Sequence, residues 1–230
     1  MNMKQLISFS LMLLMYGIST VALAHGVDGD TQAFLTNNEG AAFIPFLYIG
    51  AKHMITGYDH LLFLVGVIFF LYRPKDILIY VSFFTLGHSA TLLLGVMGNL
   101  HVNAFLIDAI IALSIVYKGF DNLGGFKACF GRQPNAKWAV LIFGLFHGLG
   151  LATKLQEFNF NQDGLFTNLV GFNIGVEIGQ FVALMFVVAI IGLWRSHKSF
   201  LRFSTLTNTV LMTAGFLLFG LQMTAYISSF

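Results

Sequence analysis

The sequence predicts an all-α membrane protein. Its plan is about six transmembrane helices after a cleaved signal peptide, with a short interfacial or re-entrant helix before span one. Three observations predict it. Hydrophobic residues make up 57% of the chain and charged residues 10%, with a mean hydropathy of +0.81; a soluble domain carries roughly 25% charged residues. Apolar runs approaching the ~20 residues that cross a bilayer recur along the chain. The basic residues between those runs fall almost entirely in alternate loops.

The elements follow in order. Residues 1–24 read as a signal peptide: Lys4 supplies a positive start, residues 6–18 a short apolar stretch, and Ala22-Leu23-Ala24 a small-residue cleavage site. The mature chain, 25–230, is then a single helical transmembrane domain starting at His25, whose α-amine and imidazole could chelate a metal. Residues 25–42 are polar and read as a loop. Phe43–His53 reads as the interfacial or re-entrant helix, and span one covers about 57–72, ending before Arg73-Pro74-Lys75-Asp76. Five further spans lie near 77–97, 103–117, 138–154, 167–194 and 205–227, with the longest loops at 118–137 and 155–166.

Charge sets the expected orientation. Loops 73–76, 118–137 and 195–204 hold Arg73, Lys75, Lys118, Lys127, Arg132, Lys137, Arg195, Lys198 and Arg202, whereas the opposite segments hold Lys52 and Lys154. The positive-inside rule puts the basic loops in the cytoplasm. The mature N-terminus and the C-terminus are then both outside, which for a bacterial inner membrane is the periplasm. A net charge of +2 and the lack of a dense basic cluster argue against a nucleic-acid partner. Cys129 is the only cysteine, so no intrachain disulfide forms. The partners expected are the bilayer and a metal ion; homo-oligomerisation stays open.

Ionisable residues within apolar segments carry the functional signal, because they are costly in hydrocarbon and mark sites. His53, Asp59, His60, His88, His147 and Glu177 are the candidate metal ligands. Carboxylates and imidazoles are the ligand set of a divalent transition metal, and also of a proton relay. His25, Asp108, Asn173, Gln180, Thr85 and Ser89 are further candidates, as ligands or as groups that orient them. Counting residues from the expected membrane faces puts Asp59 and His60 at the outer end of span one, Asp108 just below the outer surface, and His88, His147 and Glu177 nearer mid-membrane. His53 and His60 are seven apart, sharing one helix face if that segment is continuous. Gly144 and Gly148 in span four, and Gly171, Gly175 and Gly179 in span five, permit close helix approach. They predict that these two spans pack together and bring His147 toward Glu177. His101 and His197 read as surface residues in loops, and Glu157 and Asp163 as solvated loop charges. The inner half shows few polar stepping-stones.

These motifs resemble the HupE/UreJ family of bacterial membrane proteins. The residues that carry the resemblance are His53-x5-Asp59-His60-Leu-Leu-Phe, Phe84-Thr-Leu-Gly-His88-Ser, Phe146-His147-Gly148 and Phe172-Asn173-x-Gly-Val-Glu177-x-Gly-Gln180. The resemblance implies a six-span permease for nickel or cobalt, with His53, Asp59, His60 and His147 in its motifs. The chain departs from the family's nickel permeases after Gly148, reading Leu149-Gly150-Leu151 where those continue with another His and a Glu.

The leading function is therefore a divalent transition-metal permease, for nickel or cobalt by resemblance. Zinc, manganese and iron fit the same ligands. The alternatives are a zinc-dependent intramembrane metalloenzyme acting on lipid amides or esters, or a metal sensor using the same site. No phosphate-binding loop sequence points to an ATP motor.

Overall fold

A computed structural model describes residues 40–156 and 164–230. The expected signal peptide, His25, Glu157 and Asp163 lie outside the described residues. The described chain is helical, with no strand among the described residues. Its helices are α1 (Phe43–Thr56), α2 (Tyr58–Ile68), α3 (Pro74–Met97), α4 (Ala104–Asn122), α5 (Gly125–Phe130), α6 (Ala136–Gln156), α7 (Leu165–Arg195) and α8 (Ser199–Ser228). Four of them, α3, α6, α7 and α8, are long and apolar enough to cross a membrane. α4 is 19 residues long but carries Asp108, Lys118 and Asp121, and α2 is apolar but has only 11 residues.

Local chemistry explains several helix ends. Pro74 opens α3 at the position where its missing N–H costs nothing. The Asn103 side chain caps α4 by accepting from the Leu106 N–H at 3.1 Å. α5 lies between Gly124 and Gly131, both at positive φ. The C-terminal carbonyls of α2 are gathered by Arg195, whose guanidinium donates to Leu71 O at 2.8 Å, to Phe69 O at 2.8 Å and to Ile68 O. A cation at a helix C-terminus also complements the helix dipole.

Three tight helix pairs build the bundle, and each is made at glycines. In the parallel pair α1 and α7, the carbonyls of Phe43, Leu47 and Ala51 lie over Gly171, Gly175 and Gly179. In the parallel pair α3 and α6, the Phe84 and His88 carbonyls press on Gly144 and Gly148, and Gly87 faces Leu141 O. The antiparallel pair α4 and α8 meets at Gly119 and Gly215. In the first two pairs an added side chain would run into backbone, and in the third first into the Met212 and Val116 side chains, so the pairs depend on the missing Cβ.

Two expectations are corrected here. The glycine faces of spans four and five do not pair with each other: the α6 face takes α3, and the α7 face takes α1. A small-residue stripe permits a close neighbour without naming it. The second correction concerns 118–137, which is not simply a loop. α4 continues to Asn122 and α5 follows. Lys118 is buried on α4, with its Nζ donating to Asp121 Oδ2 at 2.7 Å.

α2 is held between the pairs. Gly66 packs against the Lys118 side chain and Leu211, and Asn122 Nδ2 donates to Gly66 O at 2.8 Å and to Asn208 Oδ1 at 2.8 Å. Phe69 stacks on Phe200, with ring centroids 5.0 Å apart. These contacts anchor the C-terminal half of α2.

Candidate metal centre

The helix that begins at Phe43 breaks at Gly57, which has φ −72° and ψ 105° and separates α1 from α2. The break sits between His53 and the Asp59-His60 pair. His53 and His60 therefore do not share one continuous helix face, yet their rings come together, with centroids 5.1 Å apart. Around the His60 ring stand three others. Besides His53 these are His147 of α6 at 5.2 Å and His88 of α3 at 6.5 Å. His60, His88 and His147 are buried.

Asp59 and His60 thus lie level with the middle of α3 and α6, and not at one end of the bundle as counting from position 57 suggests. The reason is that α1 already runs along the glycine face of α7. The chain has passed halfway along its neighbours before it reaches Gly57.

Hydrogen bonds set the imidazoles' roles. His147 Nδ1 lies 2.7 Å from Phe143 O, so Nδ1 carries the proton and Nε2 presents a lone pair. His60 Nδ1 lies 3.1 Å from Asp59 Oδ1, and a proton donated there leaves Nε2 as the lone-pair nitrogen. His60 Nε2, His147 Nε2 and both ring nitrogens of His88 are buried, without a hydrogen-bond partner among the described residues. Buried polar atoms are usually satisfied, so such a set calls for an explanation. One ligand atom from each of Asp59, His60 and His147 lies within 4.8 Å of the others, close enough to hold a metal ion together.

The ring spacings agree with that chemistry. With a metal–nitrogen bond of about 2.0–2.1 Å, a ring centroid sits about 3.2 Å from the ion, and two tetrahedral ligands place their centroids about 5.2 Å apart. The His53–His60 and His60–His147 separations match this spacing. His88, at 6.5 Å, stands farther from His60 than this spacing. Phe63 and Phe84 wall the cluster, with their ring centroids 5.4 and 5.0 Å from that of His147.

The other candidates have separate places. Thr85 Oγ1 donates to Gln180 Oε1 at 2.9 Å and Ser89 Oγ donates to Asn173 Oδ1 at 3.1 Å, so these four residues tie α3 to α7 beside the cluster. Asp108 is paired with Lys154, whose Nζ lies 3.0 Å from Oδ1 and 2.8 Å from Oδ2. Glu177 is exposed on α7, and His147 does not approach it as the expected pairing of spans required. His101 and His197 are exposed. His101→Ala is expected to leave metal binding unchanged, as equilibrium dialysis against nickel or zinc will read.

Gly57 is the site residue that sequence reasoning missed. A Cβ there would lie 2.6 Å from His60 Nδ1 and 3.2 Å from Asp59 Oδ1. Its φ suits any residue, so the demand for glycine is steric and comes from the site itself. Gly57→Ala is expected to displace His60 and weaken metal binding by about 10–100-fold, the range seen when groups that orient a ligand are lost. A titration of the purified variant checks it. The only signal in the sequence was a glycine between the histidines of HMITGYDH.

No curated protein and no solved structure shows significant similarity to the chain. A family model described as HupE / UreJ protein matches residues 29–230, most of the chain. With that match the chain belongs to the HupE/UreJ family, which is consistent with a metal transport or accessory role.

Proposed function

We propose that the protein is a permease for a divalent transition metal, with nickel or cobalt as its cargo. The observation that carries this reading is the meeting of four imidazoles and one carboxylate, from four helices, at a helix break in the middle of the bundle. Broken helices beside a buried ion site are a recurring device of secondary transporters, because the break frees backbone and lets the two halves move separately.

In this reading α1 and α2 together form the first of six crossings. At about 1.5 Å per residue their helical length is about 38 Å, enough for a hydrocarbon core of about 30 Å. α3, α4, α6, α7 and α8 supply the other five. The end of the bundle with Arg73, Lys118, Lys137 and Arg195 faces the cytoplasm by the positive-inside rule. The N-terminal signal peptide and the periplasmic termini complete the inner-membrane topology.

The ligands divide the work. His60 and His147 present Nε2 lone pairs to the ion. Asp59 holds His60 in the right tautomer and supplies negative charge, and His53 and His88 close the shell. Imidazole with carboxylate suits nickel, cobalt and zinc better than magnesium or calcium. The cargo is bound by neutral imidazoles, so protonation competes with it and can drive release.

Flux into liposomes containing the purified protein tests this reading, with nickel, cobalt, zinc, manganese and iron supplied in turn. Saturable uptake of nickel or cobalt is the expected result. Protein that is correctly inserted, retains bound metal and moves none of the five ions would contradict it.

A further inference from the structure

The basic end of the bundle contains a cavity of 560 Å³ that no sequence motif announced. Val67 of α2, Tyr80 of α3 and Asp121 of α4 line it, together with the segment from Gln133 to Ala136 that leads into α6. Its wall is polar. Asp121 accepts from Lys118 Nζ at 2.7 Å and from Gln133 Nε2 at 2.6 Å. Between this cavity and the histidine cluster lies a second, much smaller one of 10 Å³, about the room that a single water requires. His60 and Gln180 line the small cavity, and Val67 and Tyr80 belong to the walls of both.

We propose that the large cavity is the release port for the metal cargo, and that Val67 and Tyr80 form the barrier between the port and the histidine cluster. This inference rests on the transport reading. The chemistry of the two sites supports a direction of transfer. The cluster offers imidazole nitrogens, which bind borderline divalent ions well. The port offers water and amide oxygens, and its one carboxylate is already engaged by Lys118 and Gln133. An ion that passes Tyr80 is therefore rehydrated and not trapped a second time. The Lys118 charge offsets that of Asp121 and keeps the port from becoming a cation store. Val67 is buried and apolar, and a narrow apolar neck blocks a hydrated ion until it widens.

The test uses the full chain with its exposed Cys129 changed to serine and a cysteine introduced by Ala136→Cys in the port wall. The folded protein is treated with a methanethiosulfonate reagent and reconstituted, and nickel uptake is measured before and after reduction. Loss of uptake on modification and its return on reduction, with nickel binding at the cluster unchanged, is the expected result. Modification occurs after folding, so misfolding of the variant does not enter. Tyr80→Ala joins the two cavities and is expected to raise the uptake rate; an unchanged rate overturns the barrier. Uptake that continues at the unmodified rate after complete labelling overturns the port while leaving transport standing. Unmodified protein that binds nickel and moves none overturns both the port and the transport reading.

Discussion

His60→Ala is expected to abolish tight metal binding and metal uptake while leaving the bundle assembled. His60 is the ring around which His53, His88 and His147 are arranged, at 5.1, 6.5 and 5.2 Å. Its removal deletes a proposed ligand and also leaves Asp59 without the ring it pairs with. The loss should exceed the about 100-fold seen when only an orienting group is removed. The fold should survive, because the glycine contacts that close the three helix pairs do not involve the His60 side chain. Calorimetric titration with nickel, beside a thermal melt of the same sample, reads both halves of the prediction. Retained binding in His60→Ala would dissolve the shared site. His147→Ala gives an independent check from a different helix.

Gly148→Ala is the second large effect, and it reaches the site through packing. A Cβ at this position would run into the His88 carbonyl and Thr91 Oγ1. The Thr91 hydroxyl already donates to Leu145 O at 2.7 Å, so it bonds α3 to α6 at the same level. The added methyl can be accommodated only by moving the two helices apart. Overpacking of this kind costs about 1–3 kcal/mol. His88 and His147 ride on the two helices that separate, so metal affinity should fall together with stability. A melting temperature that falls while affinity stays at the wild-type value would show that the α3–α6 spacing does not set the cluster geometry.

Much of the candidate cluster was legible in the sequence because imidazoles within apolar runs are rare and conspicuous. His88 and His147 stand out for that reason, and His53, Asp59 and His60 stand out as a short motif. The break at Gly57 was less legible. A single glycine in a helical run is tolerated often enough to carry little weight, and the seven-residue spacing of His53 and His60 fits an unbroken helix equally well. The position of Asp59 and His60 along the bundle followed from the same point: counting from residue 57 omits α1, whose path along α7 is a tertiary fact.

Helix pairing was legible only in part. Gly144 and Gly148 announce a close neighbour, but the neighbour proved to be Phe84 and His88 of α3 and not span five. Glu177 looked like a ligand because it follows Asn173 and precedes Gln180 on a polar stripe. In the fold Asn173 and Gln180 bond to α3, while Glu177 faces outward. Lys118 was read as a loop charge, since a lone lysine at the end of an apolar run looks like a boundary. Its partner Asp121 lies one turn on, and the pair is buried at the large cavity. The apparent lack of polar groups in that half of the molecule came from placing these two residues outside the helix.

X-ray absorption spectroscopy of the zinc-loaded protein, taken beside His60→Ala, reads the ligand shell itself. A first shell of nitrogen and oxygen at about 2.0–2.1 Å is expected, with the outer-shell scattering of at least three imidazoles, and no such ion in the variant. A shell made of oxygen alone, or the same imidazole spectrum in His60→Ala, would contradict the shared site.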